Sequence, residues 1–197
     1  MTVEFAAMVL AGGRARRLGG TDKAMIRVSG RTLLDRTLDA VSGAAPVVVV
    51  GPWRPTDHEV VWTRETPSGG GPLAGLDAGL RAVPDSVEYV AVLATDHPDV
   101  TEATVDRLTE ALRARPAAHG CVLGDPEGVP QWLVGVWRAP ALRRAMPADA
   151  QGRSLRSLLK PLDPLSVPAV GSEACDIDTP EDLRRGGDGE KKSGEEP

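Results

Sequence analysis

Short apolar runs alternate with helix-spaced segments along the chain, and that alternation predicts its elements. Val3 to Ala11 reads as a first strand. Val47 to Val50 is a β-branched run of the kind buried on both faces of a parallel sheet. Ala24 to Val28 and Glu59 to Trp62 are shorter strand candidates, and Val87 to Ala94 is the next long apolar run. Between them, Arg31 to Val41 places Leu33, Leu34, Thr37, Leu38 and Val41 on one side of a helix. Pro72 stands at a helix N1 position and opens a helix to Ala82, and Thr101 caps another with Glu102 in its first turn. His119 to Gly124 and Gln131 to Trp137 pair around the turn Asp125-Pro126-Glu127-Gly128, with helices following at Ala139 to Met146 and Leu155 to Leu159. Thr179-Pro180-Glu181-Asp182 has the cap, proline and first-turn acids of a helix start. Strands alternating with helices predict one α/β domain over 1–185, a mostly parallel sheet in three α/β/α layers with a small antiparallel excursion. Beyond it, 186–197 has no apolar residue and is expected to be a disordered polar tail.

Composition narrows the picture modestly. At 197 residues the chain is long enough for one real core, and with 3% aromatics that core must be Val, Leu and Ala. A net charge of -5 argues against nucleic-acid binding while leaving room for a local basic loop. Cys121 and Cys175 show neither a disulfide framework nor metal-ligand spacing, so both are expected to be reduced and buried in a cytoplasmic protein. No apolar run approaches the roughly 20 residues needed to span a membrane, and no membrane partner is expected.

The candidate chemistry begins where the first strand ends. Leu10-Ala11-Gly12-Gly13 leads into a loop carrying Arg14, Arg16 and Arg17, then Gly19-Gly20-Thr21-Asp22-Lys23. Glycines let backbone N–H groups approach phosphate oxygens, and Arg and Lys add the countercharge. A basic surface turn is the plainer reading. Two named phosphate motifs fail on spacing: the P-loop needs Gly-Lys-Ser/Thr directly before a helix, and G-x-G-x-x-G is absent.

Asp96 follows the apolar run Val90 to Leu93, at the carboxyl edge of a buried strand, where open parallel sheets bind ligands. A carboxylate there suits Mg2+, and a turn cap is the structural alternative. His97 beside it is either a second ligand or a structural histidine. Asp176 and Asp178 alternate, so in a short strand both face one side. Asp178 is a second metal candidate, with helix capping as the competing role. Gly69 to Gly75 is a second glycine-rich element whose helix start would favour phosphate.

The first loop resembles the signature of nucleotidyltransferases that join a nucleoside monophosphate to a phosphorylated acceptor. Its Gly-Gly-x-Asp-Lys ending is most similar to that of the molybdenum cofactor guanylyltransferases, the MobA-like family. The resemblance continues in order through Gly71-Pro72-Leu73-Ala74-Gly75-Leu76, Ala94-Thr95-Asp96-His97-Pro98 and Asp176-Ile177-Asp178-Thr179-Pro180-Glu181-Asp182-Leu183. It implies a Rossmann-like nucleotidyltransferase fold and transfer of GMP from GTP to molybdopterin or its molybdenum form, with Mg2+ as cofactor and pyrophosphate released. Related enzymes on the same fold use CTP or another phosphorylated acceptor, and a non-catalytic nucleotide-binding partner in cofactor biosynthesis is the rival of another class.

By the same resemblance, Arg17, Lys23 and Asp96 are the catalytic candidates. Leu10, Ala11, Gly12, Gly13, Lys23, Gly51, Glu65 and Asp96 would contact nucleotide, and Asp96 and Asp178 metal. Gly71, Pro72, Leu73 and Gln131 would lie toward the acceptor; Trp132 is an acceptor or a core candidate. Molybdenum-insertion or molybdoenzyme-maturation proteins are the implied partners. The chain departs from the family at Gly51, where an Asn contacts the base, at Thr95 and His97 within C-D-x-P, and at Asp176 and Asp178, where the guanylyltransferases often carry Asn.

Overall fold

The computed structural model describes residues 5–12, 14–15, 21–179 and 181–183; the tail and loop residues Gly13, Arg16 and Arg17 lie outside them. Seven strands form one sheet in the order β11-β9-β10-β8-β1-β6-β7. They are β1 (Phe5–Leu10), β6 (Val47–Val50), β7 (Val61–Thr63), β8 (Tyr89–Ala94), β9 (Gly120–Gly124), β10 (Pro130–Arg138) and β11 (Leu165–Pro168). β1 runs parallel to β6 and β8, β6 to β7 and β9 to β11, while β10 is antiparallel to both its neighbours. That reversed strand is the antiparallel excursion the paired runs around Asp125 predict.

Alternation along the central strands divides the core in two. Ala7 and Val9 of β1, with Ala91 and Leu93 of β8, meet Leu34 and Leu38 of α1 (Leu33–Asp39) and Leu108 and Leu112 of α3 (Glu102–Arg113). Ala6 and Met8, with Val90 and Val92, face Leu73, Leu76 and Leu80 of α2 (Pro72–Ala82). Leu142 of α4 (Ala139–Ala145) and Leu155, Leu158 and Leu159 of α5 (Leu155–Leu159) complete that side. The result is three layers around the sheet, as expected from continuous apolar strands.

Several boundaries differ from the sequence expectation. The run from Ala24 to Val28 is a 3-10 turn, Lys23–Met25, followed by β4 (Arg27–Val28), which pairs with β5 (Arg31–Thr32). Ser29 and Gly30 between them have φ of 50° and 83°, the left-handed pair a tight hairpin requires. β2 (Arg14–Ala15) and β3 (Thr21–Asp22) pair separately. β11 escapes the sequence pattern because it is a four-residue edge strand, half exposed and ending in proline. Cys121 is buried, which pushes its thiol up to about 11. Cys175 is exposed, correcting the expectation that both cysteines are interior. No helix among the described residues is long and apolar enough to cross a membrane.

Glu173 ties the segment after β11 back to α3. It accepts from Thr104 Oγ1 at 2.6 Å, from both Arg107 terminal nitrogens at 3.0 and 2.7 Å, and from the Val170 amide at 2.7 Å. Burial pushes its carboxyl up, but the bonds from Arg107, Thr104 and Val170 outweigh burial and hold it below the usual glutamate range. A depressed folded pKa stabilises above the unfolded pKa, and that contribution is lost as pH falls. Glu173→Gln is therefore expected to cost on the order of 2 kcal/mol at neutral pH, with the gap to the parent closing in acid. Urea midpoints measured across the acidic range check both parts.

Candidate active site

Strand order reverses between β1 and β8: the chain leaves β1 toward β6 and β7, then crosses back to place β8 on the other side. In open α/β sheets the crevice outside the carboxyl ends of such strands receives ligands. A cleft of about 350 Å³ lies there, walled by Leu10 at the end of β1 and Gly12 beyond it, Thr95 and Asp96 beyond β8, and Glu65, Gly69, Gly71, Pro72 and Gly75. Lys23 closes it, with Val50, Ala94 and Leu133 as its apolar lining.

Lys23 is the hub. Its Nζ donates to Asp178 Oδ1 at 2.6 Å and to Asp96 Oδ2 at 3.3 Å, with the lysine side chain 12% exposed. Burial lowers its pKa, but the Asp178 bond and the charges of Asp96 and Asp178 outweigh that, so it is raised and the ammonium stays charged. On Asp96, burial pushes the carboxyl up, while the His97 bond and charge, then Lys23, bring it down to about 2. His97 Nδ1 lies 3.0 Å from Asp96 Oδ1, and its Nε2 is buried without a hydrogen-bond partner among the described residues. His97 thus holds one carboxylate oxygen of Asp96 and leaves the other to the cleft.

Asp178 arrives from the far end of the chain. Ile177 donates its amide to the Asp96 carbonyl at 2.9 Å and buries its side chain against Val28 and Leu33, which docks this stretch on the site. Residues 175–178 are not a strand, so the expectation that Asp176 and Asp178 share a face is corrected. Asp178 reaches Lys23, while Asp176 lines a separate cavity with Arg36 and Asp99.

The second glycine-rich element supplies the opposite wall. Gly71 has φ of 89° and precedes Pro72 at the first turn of α2, which therefore starts at the cleft. Such a helix start carries free amides and partial positive charge suited to phosphate. Glu65 Oε1 accepts from the Gly69 amide at 2.9 Å, so this carboxylate both lines the cleft and braces the loop.

Other candidates are placed elsewhere. Leu73 is buried in the core against α5, and Trp132 packs partly buried on the same side. Gln131 faces Asp125 at 3.4 Å in the β9–β10 turn. Ala11 is buried, its amide bound to the Val50 carbonyl at 2.8 Å.

Gly51 has φ of 156°, and a Cβ there would stand 2.9 Å from the Ala11 carbonyl oxygen. No side chain fits without moving the β1 exit, so the missing Asn is enforced by backbone packing. Gly51→Asn is expected to lower stability by about 2 kcal/mol through overpacking, which a urea denaturation curve would show.

Residues 7–166 match the family model described as the MobA-like NTP transferase domain. The chain belongs to that family. A probable molybdenum cofactor guanylyltransferase of Opitutus terrae is 39% identical over 129 residues, covering 63% of this chain and 62% of that protein. This chain thus spans less than two thirds of that relative's length. The molybdopterin-guanine dinucleotide biosynthesis protein A of Archaeoglobus fulgidus shares the fold at a TM-score of 0.66 and 23% identity, over 93% of this chain and 97% of that one. A 2-C-methyl-D-erythritol 4-phosphate cytidylyltransferase from Thermus thermophilus does so at 0.68 and 22%, over the same 93% and 97%. The nucleotidyltransferase architecture expected from the motifs is therefore the one observed.

Of the residues singled out in the sequence, the structure brings Leu10, Gly12, Lys23, Glu65, Gly71, Pro72 and Asp96 together around one cleft. Sequence reasoning missed Thr95 and Leu133 as lining residues, and an ion pair between the buried Arg54 and the exposed Asp22. Thr95 carried a signal in its place beside Asp96. Arg54 carried none, since a charged residue in a polar connection reads as solvated.

Proposed function

We propose that this chain transfers GMP from GTP to molybdopterin or its molybdenum form, releasing pyrophosphate and giving the guanine dinucleotide cofactor. One observation carries the reading: Lys23 and Asp96, from two separate family motifs, converge at the strand-order switch point within 3.3 Å. The acceptor phosphate attacks the α-phosphorus of GTP, and no covalent enzyme intermediate is needed. Lys23 meets the triphosphate as a point charge, with Arg17 as a further proposed clamp. The amides at the start of α2 favour phosphate on the opposite wall.

Asp96 Oδ2 and Asp178 Oδ1 both converge on one ammonium, so the same pair fits a hard divalent cation. They would hold Mg2+, which when bound would neutralise charge between the phosphates. Among the described residues no cluster of three or more acidic, histidine or cysteine side chains forms a closed metal cage. An Mg2+ that keeps waters and phosphates in its shell needs none.

Guanine recognition falls to Glu65 and the backbone of Leu10, Gly12 and Gly51, and the acceptor to the Gly71–Pro72 side. Molybdenum-insertion or molybdoenzyme-maturation proteins would receive the product, and the free thiols agree with a cytoplasmic setting. Pyrophosphate release from GTP, Mg2+ and molybdopterin by purified protein is the test; none, with a folded protein, would sink the reading.

The absence of a side chain at Gly51 favours one second reading, a relaxed or different base. CTP in place of GTP in the same assay separates the two directly.

A further inference from the structure

We propose that Arg54 is a positioning residue, whose buried guanidinium, bonded to Asp22, sets where the adjoining Lys23 delivers its ammonium. Arg54 lies in the connection from β6 to β7, yet its side chain is only 6% exposed. Its Nε donates to Asp22 Oδ2 at 2.6 Å and its Nη1 to the Pro52 carbonyl at 3.1 Å. Nη1 also stands 3.3 Å from where a Gly51 Cβ would sit, and that same position abuts the Ala11 carbonyl. The guanidinium therefore bonds Asp22, where the glycine and arginine loop returns, and stands beside Gly51, which packs against Ala11 where the loop leaves β1.

Lys23 follows Asp22 directly, so its backbone is held from two sides. Downstream, Ile26 donates to the Lys23 carbonyl at 3.1 Å and Leu33 to the Ile26 carbonyl at 2.9 Å, fixing the turn against α1. Upstream, the described restraints are the Arg54 bond and the short pairing of Asp22 with Arg14. A charge-assisted bond from a guanidinium that cannot lose its proton is the stronger of those two. The empty Cβ position at Gly51 is what admits the guanidinium. The departure at that position thus has a second consequence: a Cβ that would crowd both the Ala11 carbonyl and the Arg54 guanidinium is absent.

Site-resolved acetylation of the ligand-free protein tests this, with exposed Lys160 as the internal reference. In the parent, Asp96 and Asp178 shield the Lys23 amine. Arg54→Gln and Asp22→Asn are each expected to speed Lys23 acetylation by about tenfold, with Lys160 unchanged, and Arg54→Lys to fall between. The double variant Asp22→Asn/Arg54→Gln should be no faster than either single. Should Arg54→Gln not fold, Asp22→Asn decides alone, because Asp22 is 41% exposed and its amide is nearly isosteric. An unchanged Lys23 rate in folded variants, or additive effects in the double, would overturn the proposal. A parallel arm measures GTP binding, which rests on the proposed function and should weaken by about tenfold in the same variants. If the parent protein binds no nucleoside triphosphate, that reading fails while the acetylation rates still decide the role of Arg54.

Discussion

Lys23→Ala is expected to lower pyrophosphate release by about a thousandfold, the upper range for removing one preorganised electrostatic stabiliser. The ammonium is already in place, charged, and held by two carboxylates from different parts of the chain. In the proposed reaction it would meet the phosphates without having to be desolvated or ordered at the moment of reaction. The substitution also has a second signature. Removing the cation leaves Asp96 and Asp178 facing each other with no ammonium between them, so the pair should bind added Mg2+ more tightly than in the parent. A fall in turnover accompanied by a lower Mg2+ requirement distinguishes this mechanism from simple misfolding. Unchanged turnover would remove Lys23 from the chemistry.

Asp96→Asn should be comparably severe, lowering turnover by roughly a hundredfold to a thousandfold, but with the opposite dependence on Mg2+. The amide keeps the shape and can still pair with His97, so the fold is expected to survive. What it lacks is the negative charge that pairs with Lys23 and that the proposed divalent cation would require, so the Mg2+ requirement should rise. Asp96 has a carboxyl at about 2, below its ordinary 3.8. Its stabilising contribution is thus fully present above the ordinary value and disappears only as pH falls through about 2. Any inflection in the activity profile between roughly pH 5 and 8 belongs to another group, and it should persist in Asp96→Asn at whatever residual rate is measurable. A melting curve for the variant close to the parent's, with activity lost, is the outcome that supports the assignment.

Much of this site was readable beforehand because its parts sit where regular elements end. Val47 to Val50 and Pro72 to Ala82 form the strand and helix their patterns predict, and Asp96 stands two residues beyond β8. Glycine doublets and a helix-opening proline are local signals, and they survived folding intact. Leu73 and Gln131 were carried over by motif position, which says nothing of where a side chain points. Leu73 faces inward because it lies on the buried stripe of α2, and Gln131 follows the turn beside Asp125. The pairings were the least legible. Arg54 with Asp22, Glu173 with Arg107 and Asp178 with Lys23 each join polar residues far apart in the chain. No periodicity marks such partners, since each looks solvated until the chain brings the other beside it.

The Lys23–Asp178 bond spans 155 positions, and the Ile177–Asp96 bond brings the same late stretch onto the cleft. The seven strands of the main sheet and helices α1 to α5 precede that stretch. The scaffold can thus emerge from the ribosome and collapse while the site still lacks its last carboxylate. Closure of the cleft by this stretch has to follow synthesis of the sheet, and long-range contacts of this kind form slowly compared with local ones. A nascent chain halted before Ile177 would carry Lys23 and Asp96 but lack the segment that bonds to both, so these cross-chain contacts close only after residues 177 and 178 have been made.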